Sequence, residues 1–365
     1  MLPRNACQKA LLILSGLILA ACGPASGGPA PGAAGPAAPP APPAATGQPE
    51  AGPTAGGTPV ALERLRVPFV AISVTQLPVW VAQEAGLFTK YGLEVSLEYI
   101  PTGATLIQTM VAGEADIGIA GSEAPISASL SGADLVIIAP TVDRLVFTVY
   151  ARPDITEPSA LRGLRLGITR IGSSTDFAAR QWLRSLGLRY GEDVTLVQAG
   201  GQPELLAALQ SGAADAAVLS PPTDVQARRL GLRALADLSQ LDIQFYQSSV
   251  VVTRKIINER PDIVRRFMRA FVEANSVIHQ NKALAKQAIA RFSQTTDEEV
   301  LESSYEAALP AIPRVPLPTR AAIESAIELV ALTNPAARSV DPDRFFDARF
   351  VQELEDSGFI RSLYR

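Results

Sequence analysis

The sequence predicts an α/β protein of two similar lobes, each a mixed, mainly parallel sheet flanked by helices, with a ligand cleft between the lobes. Three observations lead there. Short apolar runs alternate with stretches of helical periodicity through most of the chain, the pattern of βαβ units. One such unit recurs: ATLIQTMVAGEADIGIAGS, from Ala104, aligns with PELLAALQSGAADAAVLSP, from Pro203, ninety-nine residues later, with Gly113 and Asp116 on Gly212 and Asp215. Several of the apolar runs end in loops of Gly, Ser and Thr, and in open parallel sheets ligands sit beyond the carboxyl ends of the strands.

The first sixty residues read as export and tethering. Arg4 and Lys9 precede an apolar run over 10–21 that is too short to span a bilayer and has the form of a signal peptide, assigned here to 1–21. Its end, Leu19-Ala20-Ala21-Cys22-Gly23, resembles the lipobox of bacterial lipoproteins, which implies cleavage before Cys22 and lipid attachment to its sulfur. Residues 22–60 are dominated by Pro, Ala, Gly and Thr and carry no periodic apolar face, so they are expected to form a disordered tether. Cys7 leaves with the signal and Cys22 is acylated in this reading, which leaves no thiol for a disulfide, a nucleophile or a metal. Without Arg4 and Lys9 the chain has 30 basic against 36 acidic residues, a charge of −6, which does not favour nucleic acid. Arg228 and Arg229, like Arg265 and Arg266, read as solvated helix faces.

The folded part begins with a strand at 67–74, broken by Thr75, Gln76, Leu77 and Pro78, then a helix at 79–88 and a second strand at 95–100. Thr102, Gly103, Ala104 and Thr105 open a helix with Leu106 and Met110 on one face, and 116–120 is a third strand ending at Gly121 and Ser122. Runs at 135–140 and 145–151 are strands on either side of the first crossing between lobes, so lobe 1 covers 61–145 and 246–365 and lobe 2 covers 146–245. In lobe 2 the stretch LRLGITRIGSSTDFAARQWL, from Leu164, is a strand, a turn at Gly172 and a helix start at which Ser173, Ser174 and Thr175 face a common point. Such a helix start attracts anions or polar oxygens, although plain capping explains the same residues, and Asp176 argues against a purely anion-seeking pocket. After a strand at 194–197 and the repeated unit, SSVVVT at 248–253 carries the chain back, and helices follow after Pro261, from Lys282, from Thr319 and around 350–354.

The motif order resembles the substrate-binding proteins of ABC importers in the nitrate, sulfonate, taurine and thiamine-precursor group. The residues that carry the resemblance are LPVWVAQEAGLFTKYGLEV from Leu77, LIQTMVAGEADIGIAG from Leu106, GITRIGSSTDFAARQWL from Gly167 and NERPDIVRRFMRAFVEA from Asn258. The resemblance implies the type II periplasmic-binding-protein fold and a solute gripped between closing lobes, then delivered to a permease and its ATPase. It also implies the site residues: Thr75 and Gln76, Gly103 and Ala104, Gly121 and Ser122 from lobe 1; Gly172, Ser173, Ser174 and Thr175, then Ser220 and Pro221, from lobe 2. Gly103 and Ala104 offer only backbone where sulfonate binders often present hydroxyls, which weakens a sulfonate assignment. Trp80, Phe177 and Tyr246 offer a stacking wall or, more simply, core packing. Glu123 and Asp176 favour a ligand with N–H donors if they face the cleft, and are exposed helix-start carboxylates if they do not.

Catalysis finds little support. His279 is the only histidine and sits in a polar helical stretch, where a surface residue is expected, so no Ser-His-Asp set can be assembled. Neither a phosphate-binding loop nor a Cys/His metal cluster is present, and no cofactor is expected. Thiamine-pyrimidine synthases of the same fold use a cysteine-rich motif and histidine chemistry absent here, and menaquinone-pathway enzymes of this fold have no need of a lipid anchor. The expectation is therefore a monomeric, lipid-anchored binding protein on the outer face of the cell membrane, capturing a small organic or oxyanionic solute for import; a ligand sensor for a membrane receptor is the alternative.

Overall fold

The computed structural model describes residues 62–241 and 243–365. The signal peptide, Cys22 and the tether lie outside the described residues. The first sheet begins with β1 (Glu63–Phe69), followed by α1 (Leu77–Glu84), α2 (Leu87–Lys90), β2 (Leu93–Tyr99), α3 (Gly103–Val111), β3 (Ile117–Ala120), α4 (Glu123–Leu130) and β4 (Leu135–Val142). The second contains β5 (Thr148–Ala151), β6 (Arg165–Ile168), α5 (Ser174–Ser185), β7 (Thr195–Gln198), α6 (Gln202–Gln210), β8 (Ala216–Leu219), α7 (Thr223–Arg229) and β9 (Arg233–Asp237). The chain then returns through β10 (Ser248–Thr253) to the first sheet, and a helical tail follows: α8 (Arg254–Glu259), α9 (Pro261–Gln280), α10 (Lys282–Ser293), α11 (Glu298–Ala308), α12 (Arg320–Ala331), α13 (Arg349–Asp356) and α14 (Phe359–Leu363).

The two sheets have one design. Their orders are β2-β1-β3-β10-β4 and β7-β6-β8-β5-β9. In the first, β1 runs parallel to β2 and β3, and β10 is antiparallel to β3 and β4. In the second, β6 runs parallel to β7 and β8, and β5 is antiparallel to β8 and β9. Each sheet thus receives its antiparallel strand from a crossing segment, and the sequence repeat places α3 and β3 on α6 and β8. This is the two-lobed α/β fold expected, with both parallel triplets aiming their carboxyl ends at the space between the sheets.

Local departures have local causes. The first strand stops at Phe69 instead of continuing to residue 74, because Ser73 caps a single 3-10 turn at Val74–Gln76 with its hydroxyl. The helix expected at 79–88 starts earlier, with Pro78 in its first turn where the missing N–H costs nothing, and breaks at Gly86, whose φ of 66° a side chain would oppose.

One apolar core lies between the first sheet and α1, α9, α10 and α13, with Val264, Phe267, Met268 and Phe271 of α9 fully buried. A second core is continuous from the other face of the first sheet to the second sheet, joining Leu106 and Met110 to Phe177, Trp182 and Phe245. The apolar face of α12, including Ile323 and Val330, belongs to this shared core, and α12 packs on α4. Trp80 stacks on Phe292 (ring centroids 5.1 Å apart), Phe177 stacks on Phe245 (4.1 Å), and Tyr246 is buried with its hydroxyl 3.0 Å from Thr319 Oγ1; all three are core residues. His279 is part-buried instead of superficial, its Nε2 2.9 Å from the Ile312 carbonyl oxygen. Arg228 and Arg229 are exposed, as expected, and Arg229 also donates to Asp297 Oδ1 and to Glu299 Oε2, both at 2.7 Å, tying α7 to the start of α11. Among the described residues no helix is long and apolar enough to cross a membrane.

Candidate functional site

Loops from both sheets meet around a cavity of about 210 Å³. The first sheet contributes Val70 to Ser73, Thr75, Gln76, Tyr99, Pro101 to Gly103, Gly121 and Glu123; the second contributes Thr169, Arg170, Ser173 to Thr175, Gly200 to Pro203 and Ser220; Phe147 and Gln247 come from the crossing segments. The two halves touch directly. Ser220 Oγ donates to Ser73 Oγ at 3.1 Å, and the Val74 N–H donates to the Pro221 carbonyl at 3.2 Å.

Most hydroxyls here serve the loops that carry them. Ser173 caps α5, accepting from the Asp176 N–H at 3.4 Å and donating to the Arg170 carbonyl at 2.6 Å. Thr169 Oγ1 lies 2.9 Å from Ser173 Oγ and 2.8 Å from Thr175 Oγ1, and Thr175 Oγ1 accepts the Thr169 N–H at 2.9 Å. This small lattice fixes the loop before anything binds, so the capping reading of Ser173 is realised even though the residue also lines the cavity. Across the cleft Thr102 caps α3 through the Thr105 N–H at 3.2 Å, while on the same side as Ser173 the Gln202 side chain accepts the Ser220 N–H at 2.9 Å. The first turns of α3, α5 and α6 therefore open on the same space, with the positive ends of their peptide dipoles around it.

Two side chains stand out electrically. Arg170 lines the cavity, and its guanidinium hydrogen-bonds only the Ile171 carbonyl, at 3.4 Å, among the described residues. Glu123, at the first position of α4, is 7% exposed and so is not the solvated helix-start carboxylate the sequence allowed. Burial, opposed by its own backbone N–H and by Arg170, pushes its carboxyl up to about 7. Asp176, by contrast, does not line the cavity: it accepts the Gly172 N–H at 2.7 Å and Arg180 Nε at 3.0 Å, and Tyr190 donates its hydroxyl to it.

The raised Glu123 carboxyl carries a stability consequence. The folded chain holds this proton more tightly than the unfolded chain does, so the group favours the fold most at low pH, and that contribution is lost as pH rises through about 7. From about pH 5 to about pH 8 the loss is about 2–3 kcal/mol. Half-buried Asp224 is pushed up to about 6, with the same sign, so only a matched variant isolates Glu123. Glu123→Gln stays neutral and is expected to lose about 2–3 kcal/mol less than wild type across this window, read from urea unfolding at the two ends. Parallel pH curves for the two proteins would remove Glu123 from the account.

The sequence model of the family described as NMT1/THI5 like matches residues 74–283, more than half of the chain. The chain belongs to the NMT1/THI5-like family. An ABC transporter periplasmic binding protein of Brachyspira hyodysenteriae is 24% identical over 251 residues, covering 65% of this chain and 70% of that one. Among solved structures, the aliphatic sulphonate binding protein SsuA of Escherichia coli superposes with a TM-score of 0.63 at 20% identity, covering 77% of this chain and 91% of the other. The nitrate-binding protein NrtA of Synechocystis PCC 6803 gives a TM-score of 0.66 at 14% identity, covering 83% and 91%. At such identities the structural likeness speaks for the fold, which is the periplasmic-binding-protein fold.

In this NMT1/THI5-like chain the cavity brings together Thr75, Gln76, Gly103, Gly121, Ser173, Ser174, Thr175 and Ser220. Ala104, Ser122, Gly172 and Pro221 stand outside its lining. Ala104 is exposed on α3, and Gly172 turns the backbone at φ 76°. Ser122 is fully buried and donates from both its N–H (3.2 Å) and its hydroxyl (3.1 Å) to the Tyr246 carbonyl, holding the returning segment. Pro221 contributes only the carbonyl that meets Val74. Tyr99, Phe147, Arg170, Gln202 and Gln247 line the cavity without having been singled out from sequence. Only Gln202 carried a usable signal, since it lies one residue before the repeated unit as Gly103 does in the first copy.

Proposed function

We propose that the protein is the extracytoplasmic solute-binding component of an ABC importer. It captures a small solute by closing two lobes, 61–145 with 246–365 against 146–245, and presents the closed form to a permease and its ATPase. The observation that carries this reading is a cavity walled by strand-end loops of both sheets, with Ser73 and Ser220 in contact across its edge. Lobes joined by two crossing segments can swing apart, and here the segments are tied to each other where Gln247 Oε1 accepts the Val146 N–H at 2.7 Å. A solute touching both halves favours the closed form and shifts the population toward it. The ligand-binding set under this proposal is Thr75, Gln76, Gly103, Gly121, Ser173, Ser174, Thr175 and Ser220. The names of its relatives support transport over turnover, and a lipid on Cys22 with the tether behind it would keep a monomer near its permease.

Calorimetric titration with nitrate, alkanesulfonates, pyrimidines and flavins tests the proposal. A single saturable site with a negative heat-capacity change, and recovery of the solute unaltered, is the expected result. Conversion of a solute by the purified protein alone would overturn it.

A further inference from the structure

We propose that Glu123 is the specificity-determining acceptor of the cavity, so that the captured solute presents an N–H or ammonium donor, as an amine, an amidine or an amino-substituted heterocycle does. The inference rests on the solute-binding reading above and names the chemistry it serves. Glu123 is the only carboxyl group among the described residues lining the cavity. It is more than nine-tenths buried, and its Oε2 has no hydrogen-bond partner. A second buried acceptor in the lining, Gln76 Oε1, is likewise unpartnered, while Gln76 Nε2 donates to Thr75 Oγ1 at 3.1 Å and Ser248 Oγ at 3.0 Å. Gln76 Oε1 is an acceptor, as is Glu123 Oε2 once its carboxyl is ionised, and a buried acceptor without a donor is costly until something supplies one. The hydroxyls opposite, Thr169, Ser173 and Thr175, already satisfy one another.

The carboxyl has a seat made for it. A Cβ at Gly121 would lie 2.4 Å from Glu123 Oε2 and 2.7 Å from Oε1, so a side chain there would displace the carboxyl group from this position. Among the described residues Arg170 is the one guanidinium lining the cavity and makes no ion pair, so it and the helix starts remain available to any anionic part of the same solute. A bare oxyanion would satisfy that half but would leave Gln76 Oε1 without a donor and Glu123 either facing a like charge or holding its proton. A solute with N–H donors supplies what both unpartnered acceptors lack.

Matched pairs of probes separate these cases: 4-aminopyrimidine and pyrimidine, acetamidine and acetate, 2-aminoethanesulfonate and ethanesulfonate, with nitrate alone. Each is titrated into wild type, Glu123→Gln and Ser174→Trp, the last filling the cavity from the other half. The expected result is binding confined to N–H-bearing probes, about thirtyfold weaker in Glu123→Gln, whose melting temperature stays at or above that of wild type. Equal binding of the members of a pair, equal affinity of wild type and Glu123→Gln, or no binding by any probe would overturn the assignment. A probe weakened by Ser174→Trp but not by Glu123→Gln overturns only the role of Glu123. One unmoved by either variant removes the cavity as the solute site.

Discussion

Ser174→Trp is expected to abolish solute binding, weakening it at least about a hundredfold, or ~3 kcal/mol, while leaving the fold intact. Ser174 lines the cavity but lies outside the hydrogen-bonded lattice of its loop; the cap of α5 is Ser173. An indole at position 174 therefore occupies the space a solute needs without removing a cap or burying an unpaired group. Titration of the best wild-type solute, beside a thermal melt of each protein, checks both halves of the prediction. Wild-type affinity in this variant would mean that solutes bind elsewhere.

Asp176→Ala is expected to destabilise the protein by about 3–5 kcal/mol, the largest effect on stability foreseen here. The side chain of Asp176 is fully buried and gathers the Gly172 N–H, Arg180 and the Tyr190 hydroxyl. Arg180 in turn lies over the Tyr190 ring, its guanidinium carbon 3.2 Å from the centroid, and burial with the neighbouring carboxylate raises the Tyr190 phenol pKa. Removing the carboxylate strands a largely buried cation and leaves a turn N–H unpaired beside the cavity. Asp176→Asn keeps an oxygen for Gly172 and is expected to cost less. Urea unfolding of the three proteins measures the order, and a loss under about 1 kcal/mol in Asp176→Ala would show the cluster to be dispensable.

Much of the architecture was legible because its signals are local. Strand and helix periodicities, the turn at Gly172 and the caps at Thr102 and Ser173 are written within a few residues of where they act. The repeat was legible for the same reason, since each copy builds the same helix and strand, and it led to two sheets of one order.

What escaped was long-range. Ser122 looked like a strand-end ligand residue, but its partner is a carbonyl 124 positions away, in the segment returning from the second sheet. Glu123 reads as an ordinary helix-start acid until β3, α4 and the opposite loops close over it. Arg229 is exposed, as it reads, but its tie to α11, from residue 298 onward, has no local signal. Tyr99 and Phe147 carry no motif; they line the cavity because a strand ends at one and the crossing segment passes through the other.

The central claim, that two halves close on a solute, is tested most directly by measuring the distance between them. Gln108 on α3 and Gln210 on α6 are exposed residues of opposite halves, and the chain's two cysteines, Cys7 and Cys22, can be replaced, so a dye pair can be placed at Gln108→Cys and Gln210→Cys alone. Single-molecule energy transfer is then recorded with and without the best-binding probe. The account predicts a mixture of separations in the free protein that collapses to one population on saturation. The same distribution at zero and saturating solute would contradict it.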